Sequence, residues 1–151
     1  MAWIRRIGRG VAAALRAGPV HAHCDIPCGI YDPHAALLAA RTVRTMVVKL
    51  QALPAGDTRH SVARLVAVKE AHAQLCKQEI LILWSDFFTE EDARRRPALH
   101  ETVWKAVKLC SANKQSVDLA AAEQLGEACE AVAALFREAQ ALKDRKQNKA
   151  A

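Results

Sequence analysis

The sequence predicts an all-α protein, a four-helix bundle that follows a short N-terminal segment. Apolar residues make up 52% of the 151 residues and aromatic residues only 5%, a composition typical of alanine- and leucine-rich helices. Four stretches repeat apolar residues at three- and four-residue spacing, the period of an amphipathic helix, and no alternating β pattern competes with them. Four such helices with short connections are typical of a four-helix bundle.

The first helix is predicted to begin at Asp32 and Pro33, because aspartate caps a helix and proline suits its first turn. Residues 54–57, Pro-Ala-Gly-Asp, are expected to end this helix. Its apolar stripe consists of Leu37, Ala40, Val43, Val47 and Leu50. These residues follow one another at helical spacing and are therefore expected to face the core.

The second helix is predicted to run from Asp57 or Thr58 to about Trp84. We expect its buried face to be broad, with His72 on it. The main residues of this face are Val62, Leu65, Val68, Leu75 and Ile82. Residues 80–84 are apolar all round the helix, which predicts burial on several sides, with a subunit contact as one way to achieve it.

A polar connection is predicted at residues 85–96. It contains an acidic run followed by Arg94–Arg96, which indicates a solvated surface. The alternative is that these charges form an interface or steer a charged partner. Pro97 opens the third helix, residues 111–115 are expected to form a break, and Ser116 is expected to cap the fourth helix. The apolar side of the third helix consists of Leu99, Val103, Ala106, Val107 and Cys110. The fourth stripe consists of Leu125, Ala128, Cys129, Val132, Leu135, Phe136, Ala139 and Leu142.

The N-terminal residues 1–22 differ from the rest of the chain. They contain four arginines and no acid, and their short apolar stretch is interrupted by arginine, which makes a poor secretory signal. Val20 and Ala22 are small residues three and one positions before His23, a pattern that signal-peptidase-like proteases accept. We therefore predict a removable leader at 1–22 and a folded domain at 23–151. The alternative is a disordered or fraying N-terminal arm.

Charge and hydropathy exclude several function classes. Four of the 22 bases lie in the leader. The remaining chain has 18 bases and 16 acids, so its net charge is +2, compared with +6 for the whole sequence. With no base-reading motif or aromatic platform, no nucleic-acid partner is expected. No run approaches the roughly 20 apolar residues of a membrane span, so no membrane partner is expected either.

Cysteine usage indicates a reducing compartment. The five cysteines are odd in number and scattered, whereas a secreted disulfide framework would pair them. Cys76, Cys110 and Cys129 are expected to be small buried apolar residues on helices. These features predict a cytoplasmic protein, and the basic leader leaves an organelle as the alternative.

Residues 23–33, H-C-D-I-P-C-G-I-Y-D-P, concentrate the possible metal ligands of the chain. Cys24 and Cys28 have C-x3-C spacing. Zinc ribbons and thioredoxin-like sites both have C-x2-C spacing, so this segment matches neither. Pro27 stiffens the loop and Gly29 permits a tight turn, so both thiols can face one point. Thiolates with imidazole favour late first-row metals, and a square-planar set of nitrogen and sulfur indicates nickel(II) or copper(II).

This segment resembles the N-terminal nickel hook of the nickel-dependent superoxide dismutases. Residues 83–88, L-W-S-D-F-F, resemble the family's L-W-S-D-Y-F at the end of the second helix, and residues 97–100, P-A-L-H, resemble its P-E-L-H at the start of the third. The resemblance extends over most of residues 23–142. It implies a four-helix bundle that assembles as a homohexamer and converts superoxide to dioxygen and hydrogen peroxide through alternation of Ni(III) and Ni(II).

The resemblance also implies a ligand set for one nickel ion per chain. In the family a pro-sequence is removed directly before the hook histidine, so a protease is expected to cut between Ala22 and His23. His23 then supplies its new amino group and its imidazole, Cys24 its backbone amide nitrogen and thiolate, and Cys28 the second thiolate. An uncleaved His23 has no free amine, so the full chain is expected to be an inactive precursor. The Ile26–Pro27 peptide bond is expected to be cis.

Other hook residues have roles implied by the same resemblance. Tyr31 resembles the family tyrosine at the mouth of the nickel site, which orders small anions or water, and we take it as the catalytic residue. Asp25 resembles the aspartate that ties the hook loop through hydrogen bonds. Asp32 is expected to act as a helix cap and not in catalysis.

The chain departs from the family pattern around the hook. In the family, a glutamate and an arginine brace the hook histidine, which corresponds to His23. Their positions are occupied here by Ala39 and His72. His72 is therefore either a supporting residue of the site or an ordinary core histidine. Phe87 replaces a second tyrosine of the site, and Thr89 replaces a lysine proposed to steer superoxide. This leaves Arg94–Arg96 as the candidates for attracting the anion.

Two other functions are compatible with the same residues. The first is a non-catalytic nickel- or copper-binding helical protein, or a hook that the changed bracing residues leave inactive. The second is a thiol redox bundle in which Cys24 and Cys28 form a disulfide and no metal is needed. Nickel bound without superoxide turnover favours the first, and activity that survives substitution of His23 favours the second.

Overall fold

A computed structural model describes residues 30–54, 56 and 59–150, with side chains as far as residue 148. The α-helices are α1 (His34–Gln51), α2 (Arg59–Ile82), α3 (Glu90–Arg95), α4 (Leu99–Gln115) and α5 (Leu119–Ala150). A π-helical turn, Leu83–Phe87, extends α2. No strand occurs in the described part of the chain, so the predicted all-α class is confirmed.

The four long helices form the predicted bundle. Helix α1 packs against α2 and α5, and α4 packs against the same two helices from the other side. The core is built mainly from small and branched residues of the predicted stripes. Its fully buried members include Val43, Val47, Ile80, Leu99, Leu125 and Val132. No described helix is long and apolar enough to cross a membrane.

The start and the end of α1 follow the sequence prediction closely. The backbone N–H of His34 donates to Oδ1 of Asp32 at 2.8 Å, so Asp32 caps the helix as expected. The helix ends at Gln51, shortly before residues 54–57. Gly56 has a φ of 99°, a left-handed conformation that glycine adopts without steric cost.

The predicted buried face of α2 is wrong for three of its residues, whereas Leu65, His72 and Ile82 are partly buried. Val62, Val68 and Leu75 are each about 40% exposed. The buried residues are instead Lys69, Ala73, Cys76 and Ile80. Helix α2 has two faces of similar hydrophobicity. The face with alanine and cysteine is the buried one, because these small residues let the neighbouring helices approach closely. Residues 80–84 are correspondingly divided, with Ile80 and Leu83 buried but Leu81 and Trp84 partly exposed in the single chain.

The polar connection predicted at residues 85–96 is largely helical. The N–H of Phe88 donates to the carbonyl of Leu83 at 3.1 Å, a five-residue separation that closes the π-helical turn. The extra residue of this turn brings both Phe87 and Phe88 into the core. Thr89 then caps α3 through a capping box with Asp92.

The break between α4 and α5 also lies later than predicted. Helix α4 continues through residues 111–115, and the break is at residues 116–118. Asp118, not Ser116, caps α5, since its Oδ1 accepts from the N–H of Ala120 at 2.9 Å. The Ser116 hydroxyl donates instead to the carbonyl of Ala112. A carboxylate suits the positive N-terminus of a helix better than a hydroxyl.

Candidate metal centre

The predicted nickel ligands precede the described part of the chain. His23, Cys24 and Cys28 lie outside the described residues, as do Asp25 and the Ile26–Pro27 bond. Their arrangement therefore stays a prediction. Within residues 30–54, 56 and 59–150, no group of three or more His, Cys, Asp or Glu side chains is placed to hold a metal ion.

Tyr31 and Asp32 attach the chain that leaves the hook to one end of the bundle. Tyr31 is partly buried and packs against the hydrophobic core. Its ring centroid lies 5.5 Å from that of Phe87, with the planes tilted by 57°. Asp32 caps α1 directly afterwards. Residues 30–33, the described end of the hook, therefore lie next to the junction of α1 with the end of α2.

A cavity of about 190 Å³ opens at this junction. It is lined by Ile30, Tyr31, Asp32, Glu79, Ile82 and Leu83. Glu79 is a carboxylate that lines the same cavity as Tyr31, and the sequence interpretation did not single it out. The signal was available, because Glu79, Leu83 and Phe87 follow at four-residue spacing on the helix that ends at the site.

Phe87 is the centre of an aromatic cluster beneath Tyr31. Its ring centroid lies 4.3 Å from that of Phe136 and 5.1 Å from that of Phe88. Phe87 is 3% exposed, so the position where the family has a second tyrosine is part of the core here. A buried phenylalanine keeps the packing without the hydroxyl, which would need a partner.

Lys143 of α5 is the second residue that the sequence interpretation missed. Its Nζ donates to the carbonyl of Phe87 at 2.6 Å and lies 3.6 Å from the centroid of the Phe87 ring. Burial lowers the pKa of Lys143, while the charge of Asp92 acts in the opposite direction. Lys143 follows Phe136 by two helical turns, so the helical repeat places the two on one face.

The residues at the departures from the family pattern have local structural roles. Ala39 is buried in the core. His72 is partly buried, and its Nδ1 lies 2.9 Å from the carbonyl of Val68 one turn earlier. Thr89 caps α3 together with Asp92.

The three arginines considered for steering are paired with carboxylates. Each pairs with the acid four residues before it: Arg94 with Glu90 at 2.5 Å, Arg95 with Glu91 at 2.8 Å, and Arg96 with Asp92 at 3.2 Å. Asp92 and Arg96 are almost fully buried, so the predicted solvated surface is wrong for these two residues. Partner carboxylates offset the arginine charges, which weakens any attraction of a distant anion.

Comparison with known families identifies the chain. The family model for nickel-containing superoxide dismutase matches residues 18–140. The chain belongs to this family. The superoxide dismutase [Ni] of Streptomyces seoulensis is 40% identical over 105 residues, which cover 70% of this chain and 78% of that protein. The superoxide dismutase [Ni] of Streptomyces coelicolor is 37% identical over the same coverage.

Solved structures of nickel superoxide dismutases share the fold. A native structure aligns with a TM-score of 0.73 and 33% identity, covering 78% of this chain and 99% of that one. A structure with nickel ligation corresponding to the state after partial X-ray-induced reduction aligns with a TM-score of 0.74 and 36% identity, covering 78% and 98%. Membership of the nickel superoxide dismutases confirms the predicted family, fold class and function as an oxidoreductase acting on superoxide.

Proposed function

We propose that the chain, once cleaved between Ala22 and His23, holds one nickel ion through His23, Cys24 and Cys28 and converts superoxide to dioxygen and hydrogen peroxide. The observation that carries this proposal is the hook sequence at residues 23–33 within a chain of this family. The position of Tyr31 supports it, because Tyr31 attaches the segment to a cavity at the end of the bundle.

The donor set fits nickel by its chemistry. Two thiols, an imidazole, an amine and a backbone amide combine soft and borderline donors, which suit late first-row divalent ions. When bound, nickel supplies a one-electron redox change between two oxidation states. The terminal amine exists only in the cleaved chain, so cleavage itself completes the donor set.

The surrounding residues of the chain position the hook and its substrate. The role proposed for Tyr31 is to order small anions or water at the site, while its ring packs on Phe87. Asp25 ties the loop by hydrogen bonds. His72 is proposed to support the hook, and since its Nδ1 lies at the carbonyl of Val68, only Nε2 is left for such a contact.

The working form is proposed to be a homohexamer in the cytoplasm, with an organelle as the alternative. Partly exposed apolar side chains on α2 and α4 support an assembly, since soluble monomers seldom expose large apolar patches. Cys76, Cys110 and Cys129 are free thiols, which supports a reducing compartment.

The N-terminus provides the sharpest test. Two chains are compared, one starting at His23 and one starting at Ala22, which has every side chain of the first but no amine on His23. We expect the His23 chain to bind one nickel per chain and to consume superoxide. The Ala22 chain is expected to lose most of this activity, because one ligand is missing. Nickel is measured by elemental analysis and turnover by pulse radiolysis.

The same experiment separates the competing functions. Nickel bound at one per chain without superoxide turnover would favour the non-catalytic metal-binding protein, a possibility raised by Ala39 and His72 at the bracing positions. Equal activity of the two chains would contradict the role of the terminal amine. Activity without metal would favour the thiol redox alternative.

A further inference from the structure

Three cysteines that are not among the predicted nickel ligands form a row in the core of the bundle. Cys76 is on α2, Cys110 on α4 and Cys129 on α5, and each is at most 2% exposed. The Sγ atoms of Cys76 and Cys129 lie 3.4 Å apart, and Cys76 also hydrogen bonds with Cys110. Cys76 is therefore the central thiol of the row.

We propose that hydrogen peroxide oxidises Cys76 and Cys129 to a disulfide that joins α2 to α5. The inference rests on the proposed function only for the source of the peroxide, which is the product of superoxide disproportionation. Both thiols are buried in the core, and their sulfurs lie next to each other in the folded chain. A disulfide has an S–S distance of about 2.05 Å, so the sulfurs at 3.4 Å need to approach by a little over 1 Å.

The reaction balances with one peroxide molecule. The Cys129 sulfur attacks a peroxide oxygen, the O–O bond breaks, and the hydroxide that leaves takes up the thiol proton to form water. The Cys76 sulfur then attacks the sulfur of the resulting sulfenic acid, and its hydroxyl group leaves with the Cys76 proton as a second water. Two thiols lose two electrons and two protons, and one peroxide is reduced to two waters.

The surroundings of Cys76 keep its thiol protonated. Hydrogen bonds with Cys110 and Cys129, and then burial, raise the pKa of Cys76. The raised pKa makes Cys76 a slow nucleophile, because the thiolate is the reactive form, and its proton leaves with the hydroxyl group during the attack. The row does not resemble a metal site, since no suitable ligand group occurs among the described residues. Peroxide is small and uncharged and can reach the core during local opening of the helices.

The test uses added hydrogen peroxide on the full chain and on Cys24→Ser/Cys28→Ser, which lacks the hook thiols and any nickel chemistry. After oxidation, free thiols are alkylated in denaturant and the peptides are mapped by mass spectrometry. We expect a cross-linked peptide pair containing Cys76 and Cys129 in both proteins, lighter by about 2 Da than the two free peptides, and reversal by a thiol reductant. Because no dismutase activity is involved, failure of the proposed function leaves this result unchanged.

Matched alanine variants identify the pair. Cys129→Ala is expected to abolish the cross-link, whereas Cys110→Ala keeps it, and circular dichroism checks that each variant is helical. If either variant fails to fold, the peptide map of Cys24→Ser/Cys28→Ser decides alone. Free thiols at Cys76 and Cys129, sulfinic or sulfonic acids there, or a bond from Cys76 to Cys110 would each overturn the proposal.

Discussion

At the scale of single residues, Tyr31 connects the predicted metal segment with the folded bundle. Its ring packs on Phe87, and its neighbour Asp32 caps the first helix. The ring and the hydroxyl group therefore have separable roles. The ring packs on the core, whereas the proposed catalytic role belongs to the hydroxyl group.

Tyr31→Phe keeps the ring and removes the hydroxyl group. We expect an unchanged nickel content and melting temperature, but a fall of about tenfold in kcat/KM, which is the loss expected for one hydrogen bond of roughly 1.4 kcal/mol. Tyr31→Leu is the comparison, since it also removes the packing on Phe87 and is expected to lower the melting temperature. Unchanged turnover in Tyr31→Phe would show that the hydroxyl group has no catalytic role.

Lys69 shows how a charged residue can be part of the core. Its side chain is 1% exposed, and its Nζ donates to the backbone carbonyls of Asn113, Lys114 and Ser116 at the end of α4. The final carbonyls of a helix have no partner within the helix, so this ammonium satisfies them from a neighbouring helix. Burial lowers the pKa of Lys69, and the charge of Glu70 opposes that shift.

Lys69→Met is expected to destabilise the fold by about 3 kcal/mol, because buried carbonyls lose a charged donor. The control is Lys77→Met. It removes an ammonium that donates one hydrogen bond of 3.2 Å to the hydroxyl of Ser111. This variant is expected to lower the free energy of unfolding by less than about 1 kcal/mol. Urea unfolding measures both. Equal losses in the two variants would contradict the role assigned to Lys69.

At the scale of secondary-structure elements, α3 is fixed to α5 by a network centred on Asp92. Asp92 accepts hydrogen bonds from the backbone and hydroxyl group of Thr89 and pairs with Arg96 and Lys143. Burial alone would raise the pKa of Asp92, but the Thr89 hydrogen bonds and the two cations outweigh it and hold the pKa below its usual value. The network holds α3 against the end of α5 that contacts Phe87.

The lowered pKa of Asp92 sets a pH dependence of stability. The folded state favours the ionised form of Asp92. Its contribution to stability is therefore complete above the pKa of the unfolded state, near 3.9, and is lost as the pH falls through the lower pKa of the folded state. Asp92→Asn is expected to cost about 3 kcal/mol at pH 7 and to reduce the loss of stability between about pH 4 and pH 2. Urea unfolding across this range measures both effects.

Glu90→Gln is the control for the Asp92 prediction. Glu90 pairs with Arg94, but both side chains are more than 70% exposed. Exposed pairs contribute about 0–1 kcal/mol, so this variant is expected to retain the acid dependence of the native protein. An identical acid dependence of Asp92→Asn and Glu90→Gln would refute the assignment to Asp92.

At the scale of the whole molecule, the apolar groove between α2 and α4 is the strongest candidate for subunit contact. It has a volume of about 540 Å³ and includes Leu81, Trp84 and Trp104 in its lining. Trp104 is 61% exposed in the single chain. Large aromatic residues on a surface are typical of protein interfaces.

Trp104→Glu is expected to convert the proposed hexamer to smaller species, because a carboxylate would be buried in an apolar contact. Light scattering measures the mass, for which the hexamer predicts six times that of the chain. Gln51→Glu adds the same charge at an exposed position on α1, away from the groove, and is expected to leave the mass unchanged. A hexamer that persists in Trp104→Glu would exclude this groove from the interface.

The sequence by itself determined the helix pattern and the set of possible metal ligands. Helical periodicity is a local property, so the stripes of α1, α4 and α5 were predicted with most of their buried residues. The identity and spacing of His23, Cys24 and Cys28 are equally local. They predicted nickel(II) or copper(II), and the resemblance to the family favoured nickel.

Only the tertiary structure decided which face of α2 is buried and which residues surround Tyr31. Helix α2 has two faces of similar hydrophobicity, and the neighbouring helices select the one with Ala73 and Cys76. Glu79 and Lys143 are far apart in the chain, and the packing of α2 and α5 brings both to the end of the bundle where Tyr31 lies. Periodicity describes one helix at a time, whereas these positions depend on the competition between helices for the core.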